Sequence, residues 1–145
     1  METLLKYEQA GSFNFYPAAT KKDCFAECNA PSDASGIYLI YGINGSKEEL
    51  VYIGRSGELL SDGKMKHRLA GLGGIKDRLI NGKYKYTNTG LKVTRYIFWK
   101  ERMVREGFEK LKINWFVTHG AEYLDCPIKI EADLISSYRP KWNRL

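Results

Sequence analysis

Glu131 stands at the centre of an apolar stripe. Laid on a helix at about 100° per residue, it falls between Pro127 and Leu134 on one side and Ile128 and Ile135 on the other. A carboxylate placed there either pairs with a buried Arg or Lys, or serves as a metal ligand or general acid/base at the rim of the core. Unpaired burial would cost several kcal/mol, so a partner cation is expected in both cases. Asp133, about 160° away around the same helix, should face water. Two phenols form the second set. Strict alternation puts Tyr38 and Ile40 on one face of a strand and Ile37, Leu39 and Tyr41 on the other, and it opposes Val51 and Ile53 to Leu50 and Tyr52. Tyr38 and Tyr52 can therefore share a face. They read as an ordinary cross-strand aromatic pair, unless Gly36 and Gly54 beside them clear room for a second backbone or a phosphate.

Other residues carry weaker chemistry. Lys83-Tyr84-Lys85-Tyr86, with Arg95, Arg102 and Arg105, reads either as a phosphate-contacting surface or as a solvated face. Cys24 and Cys28, with His67 or His119, fit no standard zinc spacing. Trp99, Trp115 and Trp142 read as packing residues.

These side chains need elements to hold them. Residues 1–34 are polar and turn-rich, with an aromatic knot at Phe13-Asn14-Phe15-Tyr16, and read as an N-terminal extension packed on a domain spanning 35–145. Gly36 to Tyr41 and Leu50 to Ile53 are strand-like and flank an Asn44-Gly45 turn signal, which predicts a hairpin. Ile75 to Ile80 predicts a short helix ended by Gly82. Residues 92–107 are ambiguous between strand and helix, and are read as helix. Leu111 to Thr118 alternates as a third strand, and a last helix runs from Asp125 or Cys126, with Pro127, to about Tyr138 before Pro140. The expected fold is a small α+β domain, with three antiparallel strands flanked by helices.

Composition bounds the rest. The chain has 145 residues, 43% hydrophobic and 28% charged, which fits one globular domain and excludes wholesale disorder. Its longest apolar run, Ile37 to Tyr41, is far below the roughly 20 residues of a membrane span. No secretory leader is recognised at Met1 to Lys6, and three cysteines are too few and odd in number for a disulfide framework, so a cytoplasmic protein with free thiols is expected. A net charge of +6 and a pI near 9.2 favour a polyanionic partner.

Gly36-Ile37-Tyr38 and Tyr52-Ile53-Gly54, with the tyrosines 14 residues apart, precede a helical arginine, a glutamate on an apolar helix and a late asparagine. In that order they resemble the GIY-YIG nuclease superfamily over roughly residues 35–145. The resemblance implies a metal-dependent endonuclease acting on DNA. It makes Tyr38 the general base and Tyr52 the companion that orients water or phosphate. Arg78 or Arg68 becomes the transition-state arginine, Glu131 the single metal ligand and Asn143 the supporting asparagine. Arg78 fits the apolar-x-x-Arg-apolar helix pattern better, while Arg68 lies closer to the second motif; the family's histidine has no clear counterpart.

The chemistry asks for such a set. Hydrolysis of a phosphodiester needs a water in line with the leaving oxygen and positive charge where the transition state gathers negative charge. A phenol ordinarily titrates near about 10, so a tyrosine base needs a nearby cation or metal, and Lys64, Lys66 and Lys76 are candidates for it. Mg²⁺ or Mn²⁺ suits a site with one carboxylate. One domain would cut one strand, so a double-strand break would call for a homodimer or a partner protein. A non-cleaving nucleic-acid-binding module on the same fold is the rival expectation.

Overall fold

The computed structural model describes residues 1–68, 73–82, 85–86 and 92–144, with the backbone alone at 85, 86 and 92. The elements run β1 (Ala10–Phe15), α1 (Lys21–Glu27), β2 (Gly36–Asn44), β3 (Lys47–Ser56), β4 (Glu58–Leu59), β5 (Met65–Lys66), α2 (Gly74–Asn81), β6 (Lys85–Tyr86), β7 (Lys92–Val93), α3 (Arg95–Glu106), β8 (Lys110–Val117) and α4 (Pro127–Tyr138). Short 3₁₀ turns lie at Glu2–Leu4 and Lys141–Arg144.

The class is α+β, but the main sheet has four strands rather than the expected three, in the order β1-β8-β2-β3. All neighbours are antiparallel. The additional strand comes from the segment read as an extension: Ala10–Phe15 pairs with β8, and Phe13 and Phe15 are buried. Its short run interrupts apolar residues with Gly11, Ser12 and Asn14, so its strand character rests on pairing with β8 rather than on local pattern.

Asn44 pairs with Lys47, leaving Gly45-Ser46 as a two-residue loop, and Gly45 takes φ +61°, which only glycine adopts cheaply. Register shifts at Ile40/Tyr41, so that Tyr52 faces Ile40 and Leu50 faces Tyr41. Val51 is therefore a bulge residue, and it joins the same core cluster as Tyr52 instead of opposing it. The segment 92–107 resolves into Lys92–Val93 as strand and Arg95–Glu106 as helix, closed by Gly107 at φ +74°. Pro127 opens α4, and Arg139 ends it in the left-handed region just before Pro140.

Both faces of the sheet are covered. Tyr38, Ile40, Tyr52 and Ile113 pack with Ile75 and Leu79 of α2 and with Phe98, Trp99 and Met103 of α3. Ile37, Leu39 and Ile53 pack with Leu134 of α4 and with Leu4 and Tyr7. Period-2 alternation thus sends the phenols toward α2 and α3 and their neighbours toward α4. Among the described residues no helix is long and apolar enough to cross a membrane.

Candidate active site

Tyr38 lies opposite Gly54, and Tyr52 opposite Ile40. The two phenol rings are one diagonal step apart on the hairpin, with centroids 6.1 Å apart and an interplanar angle of 30°. A Cβ at Gly54 would collide with the ring and hydroxyl of Tyr38, and one at Gly36 with the carbonyl of Phe116. The glycines therefore make room for a phenol and for a neighbouring strand. Tyr38 is fully buried, and among the described residues its hydroxyl has no hydrogen-bond partner.

The cation that meets the phenols is Arg95. Its Nη1 donates to the Tyr52 hydroxyl, and its guanidinium lies 5.1 Å from the Tyr52 ring and 5.8 Å from that of Trp99. Arg95 is 5% exposed and opens α3, where the helix's own partial positive charge opposes it. Burial alone would lower its pKa, but Tyr38, Tyr52 and Glu131 outweigh that and raise it. Burial pushes the Tyr52 phenol well above its usual range; Tyr38 and Glu131 add to this, and Arg95 opposes it. Tyr52 is thus a neutral phenol at physiological pH, its oxygen occupied by a guanidinium donor.

Glu131 approaches this cluster from α4, across the β3 edge. Its carboxylate lies 3.5 Å from Nε of Arg55, with side chains 23% and 34% exposed, and its charge is felt by both Tyr52 and Arg95. The cation expected beside Glu131 is present, and Asp133 is exposed. Among the described residues no group of three or more His, Cys, Asp or Glu forms that could cage a metal ion. One part-exposed carboxylate does fit Mg²⁺, which keeps several waters and draws its remaining ligands from substrate phosphate.

Asn143 touches neither phenol. Its side-chain amide brackets the backbone of Ile53, accepting from its N–H at 2.9 Å and donating to its carbonyl at 2.8 Å. It clamps the β3 edge between Tyr52 and Gly54, so it positions the strand that carries the site. Charged Lys47, Glu48 and Glu49 protect the rest of that edge.

The two arginines weighed for catalysis part company. Arg68 donates from Nε to Asp77 at 2.9 Å, and Asp77, only 1% exposed, also accepts from Asn81. Arg78 has no carboxylate partner among the described residues, and its Nε is buried without a hydrogen bond. Both line a hollow of about 350 Å³ at the end of the hairpin. Lys66 also lines it and stands 3.9 Å from Glu58; Lys64 is exposed, and Lys76 acts on Cys28.

The basic aromatic stretch does not form one described surface. Lys83 and Tyr84 lie outside the described residues, Arg95 is buried, Arg102 lies over Phe98 and Arg105 pairs with Glu101 on the outside of α3. Helical period carried a signal for Arg95, since Phe98, Trp99 and Met103 fall on the buried face to which it belongs.

Cys24, Cys28 and Cys126 are free thiols, and burial pushes Cys24 and Cys28 up to about 11. The histidines instead meet each other at 4.9 Å between rings, around Ser35. Ser35 Oγ shares a 2.6 Å hydrogen bond with Nδ1 of His67, and its N–H donates to Nε2 of His119 at 3.0 Å. No short-range sequence signal joins these three residues.

A larger groove of about 670 Å³ runs between the first 3₁₀ turn and α4, on the sheet face away from the phenols. Asp125 there accepts from Tyr7 at 2.5 Å and pairs with Lys6 at 3.1 Å. No protein-family profile, curated protein or solved structure matches the chain.

Proposed function

We propose that the chain is a GIY-YIG-type endonuclease domain that hydrolyses phosphodiester bonds in DNA with Mg²⁺ or Mn²⁺, in the cytoplasm. One observation carries the reading. Two phenols from adjacent strands and a buried guanidinium cluster on one face of the hairpin, with a helix carboxylate near enough for its charge to act on them and a cation-rich hollow at the hairpin's end. A sheet that needed only packing there would gain nothing from a buried arginine facing the N-terminal end of its own helix.

Tyr38 is assigned the proton of the attacking water. Arg95, coupled electrostatically to both phenols, takes the part expected of a lysine. Tyr52, neutral and accepting from Arg95, is the companion phenol that orients the water or a phosphate oxygen. Arg95 also stabilises the negative charge that develops on that phosphate. Asn143 keeps β3 in register so that the two phenols stay aligned. Glu131 would hold the divalent ion, which when bound supplies Lewis-acid stabilisation of the phosphate and leaving group.

Cleavage of supercoiled plasmid with Mg²⁺ tests this. Wild type should nick the plasmid and Glu131→Ala should not; the carboxylate is part-exposed and its pair with Arg55 is screened by water, so the fold should survive the change. A Glu131→Ala protein that still cuts at the wild-type rate would overturn the metal assignment. The rival, a non-cleaving nucleic-acid-binding module, draws support from the complete burial of Tyr38 and from the Arg55 already beside Glu131. It predicts salt-sensitive DNA binding with no cutting at any Mg²⁺ concentration.

A further inference from the structure

The hollow beside the phenols is lined by more donors than its own side chains satisfy. Arg68 is engaged by buried Asp77, and Arg55 by Glu131. Lys66 meets Glu58 only loosely, at 3.9 Å between two well-exposed side chains. Arg78 has no carboxylate among the described residues, so the lining is net positive. Two of the lining residues also carry a buried polar atom unpartnered among the described residues: Nε of Arg78 and Oγ of Ser56, a residue 2% exposed. His67 completes the set. Its Nδ1 is taken by Ser35, which leaves Nε2 as the ring nitrogen available to the hollow.

A guanidinium N–H, a hydroxyl and an imidazole nitrogen in a small cationic recess make up the donor set of a phosphate site. At about 350 Å³ the recess has room for a phosphate and its sugar, but not for a duplex. The strand that carries Tyr52 and Gly54 runs directly into its lining at Arg55 and Ser56, so a nucleic-acid strand lying along the hairpin would reach both places.

We infer that this hollow is a second phosphate subsite, which takes a phosphate of the substrate strand other than the one attacked at the phenols, held by Arg78, Ser56 and His67. The inference rests on the nuclease reading for the identity of the strand, though not for the anion chemistry. Two sources supply such a phosphate: a terminal monoester and an internal diester.

The test is a titration of the full chain with inorganic phosphate, followed through the Arg78 Nε–H and His67 ring resonances. Saturable shifts are expected at both residues, with affinity at least tenfold weaker in Arg78→Gln and in Ser56→Ala. Two variants are used so that a misfolded one does not decide the matter. Absence of saturation, or shifts unchanged by both substitutions, would overturn the subsite. Short single strands with and without a 5′-phosphate then separate the sources. Tighter binding of the phosphorylated strand that is lost in Arg78→Gln assigns a terminal monoester, and equal binding lost in Arg78→Gln assigns an internal diester. Binding of both strands that ignores Arg78 overturns the proposal. Phosphate bound at Arg78 by a protein that never cuts DNA would sink the nuclease reading alone; DNA cut by a protein with no Arg78 response would sink the subsite alone.

Discussion

Arg95 donates a hydrogen bond from Nη1 to the hydroxyl of Tyr52, and both side chains are buried. Neither residue is comfortable without the other. The guanidinium has lost its water, and the Tyr52 ring packs against those of Tyr38 and Trp99, with an acid close enough to repel any phenolate.

The pair should therefore behave as a unit. Tyr52→Phe leaves a buried cation short of an acceptor and is expected to lower stability by about 1.5–3 kcal/mol. Arg95→Met removes the charge and keeps the volume, so its cost should be smaller. Urea unfolding of the two single variants and the double variant should give a double effect clearly less than the sum, because the second substitution no longer strands a partner. Strict additivity would mean that the bond contributes nothing. On the nuclease reading Arg95→Met also loses about 10²–10³ in cleavage rate, the usual toll of removing a transition-state donor.

Gly54 faces Tyr38 so closely that a methyl group there must displace the ring. Its backbone is extended, so the cost is steric rather than conformational. Gly54→Ala should lower stability by about 1–3 kcal/mol, as overpacking does, and should move the phenol away from its neighbours. Gly45→Ala is the contrast: nothing lies near its Cβ, and only the left-handed φ of +61° is penalised, by about 1–2 kcal/mol. Near-UV circular dichroism should change with Gly54→Ala and not with Gly45→Ala. Identical spectra would argue against the close approach.

What could be read from sequence was what a local period encodes. Alternation of two placed Tyr38 with Ile40, and the helical period placed Glu131 on the stripe with Leu134 and Asp133 in water. Alternation failed at Val51, where a bulge adds one residue to the count. Ala10–Phe15 escaped because its partner, β8, lies about a hundred residues on and supplies the pairing that its own sequence lacks. Arg95 was visible as a charge but not as a site, since its face depended on where the helix begins in a segment of mixed strand and helix formers. Ser35, His67 and His119 are brought together across 32 and 84 residues, which no window spans.

Acid should loosen the entry to β2. His119 accepts from the Ser35 N–H at Nε2, which requires the neutral ring; burial first, and His67 second, lower its pKa from 6.5, against a smaller upward pull from Asp33. A histidine whose folded value is depressed contributes stability that is complete above the unfolded value of about 6.5 and declines as pH falls through the lower folded value. Urea midpoints should therefore hold steady from pH 8 to 7 and drop toward pH 5. His119→Gln keeps an acceptor without the titration and should flatten that decline. An unchanged slope in His119→Gln would remove the Ser35 contact from the account.

Tyr38→Phe separates stability from chemistry most sharply. The phenol is wholly buried and its oxygen has no hydrogen-bond partner among the described residues, so deleting the hydroxyl removes a desolvated group that returns nothing. Such a change should leave stability the same or raise it by about 1 kcal/mol, because an unsatisfied buried polar atom costs about 1–3 kcal/mol. A satisfied tyrosine loses stability on the same substitution. If Tyr38 takes the proton of the attacking water, the variant should also lose about 10²–10⁴ in cleavage rate, the range for a general base, while binding DNA as before. A stabler protein that no longer cuts is the expected pairing. A variant that is less stable would mean that the hydroxyl has a partner in the folded protein, and one that cuts at the wild-type rate would move the base elsewhere in the cluster.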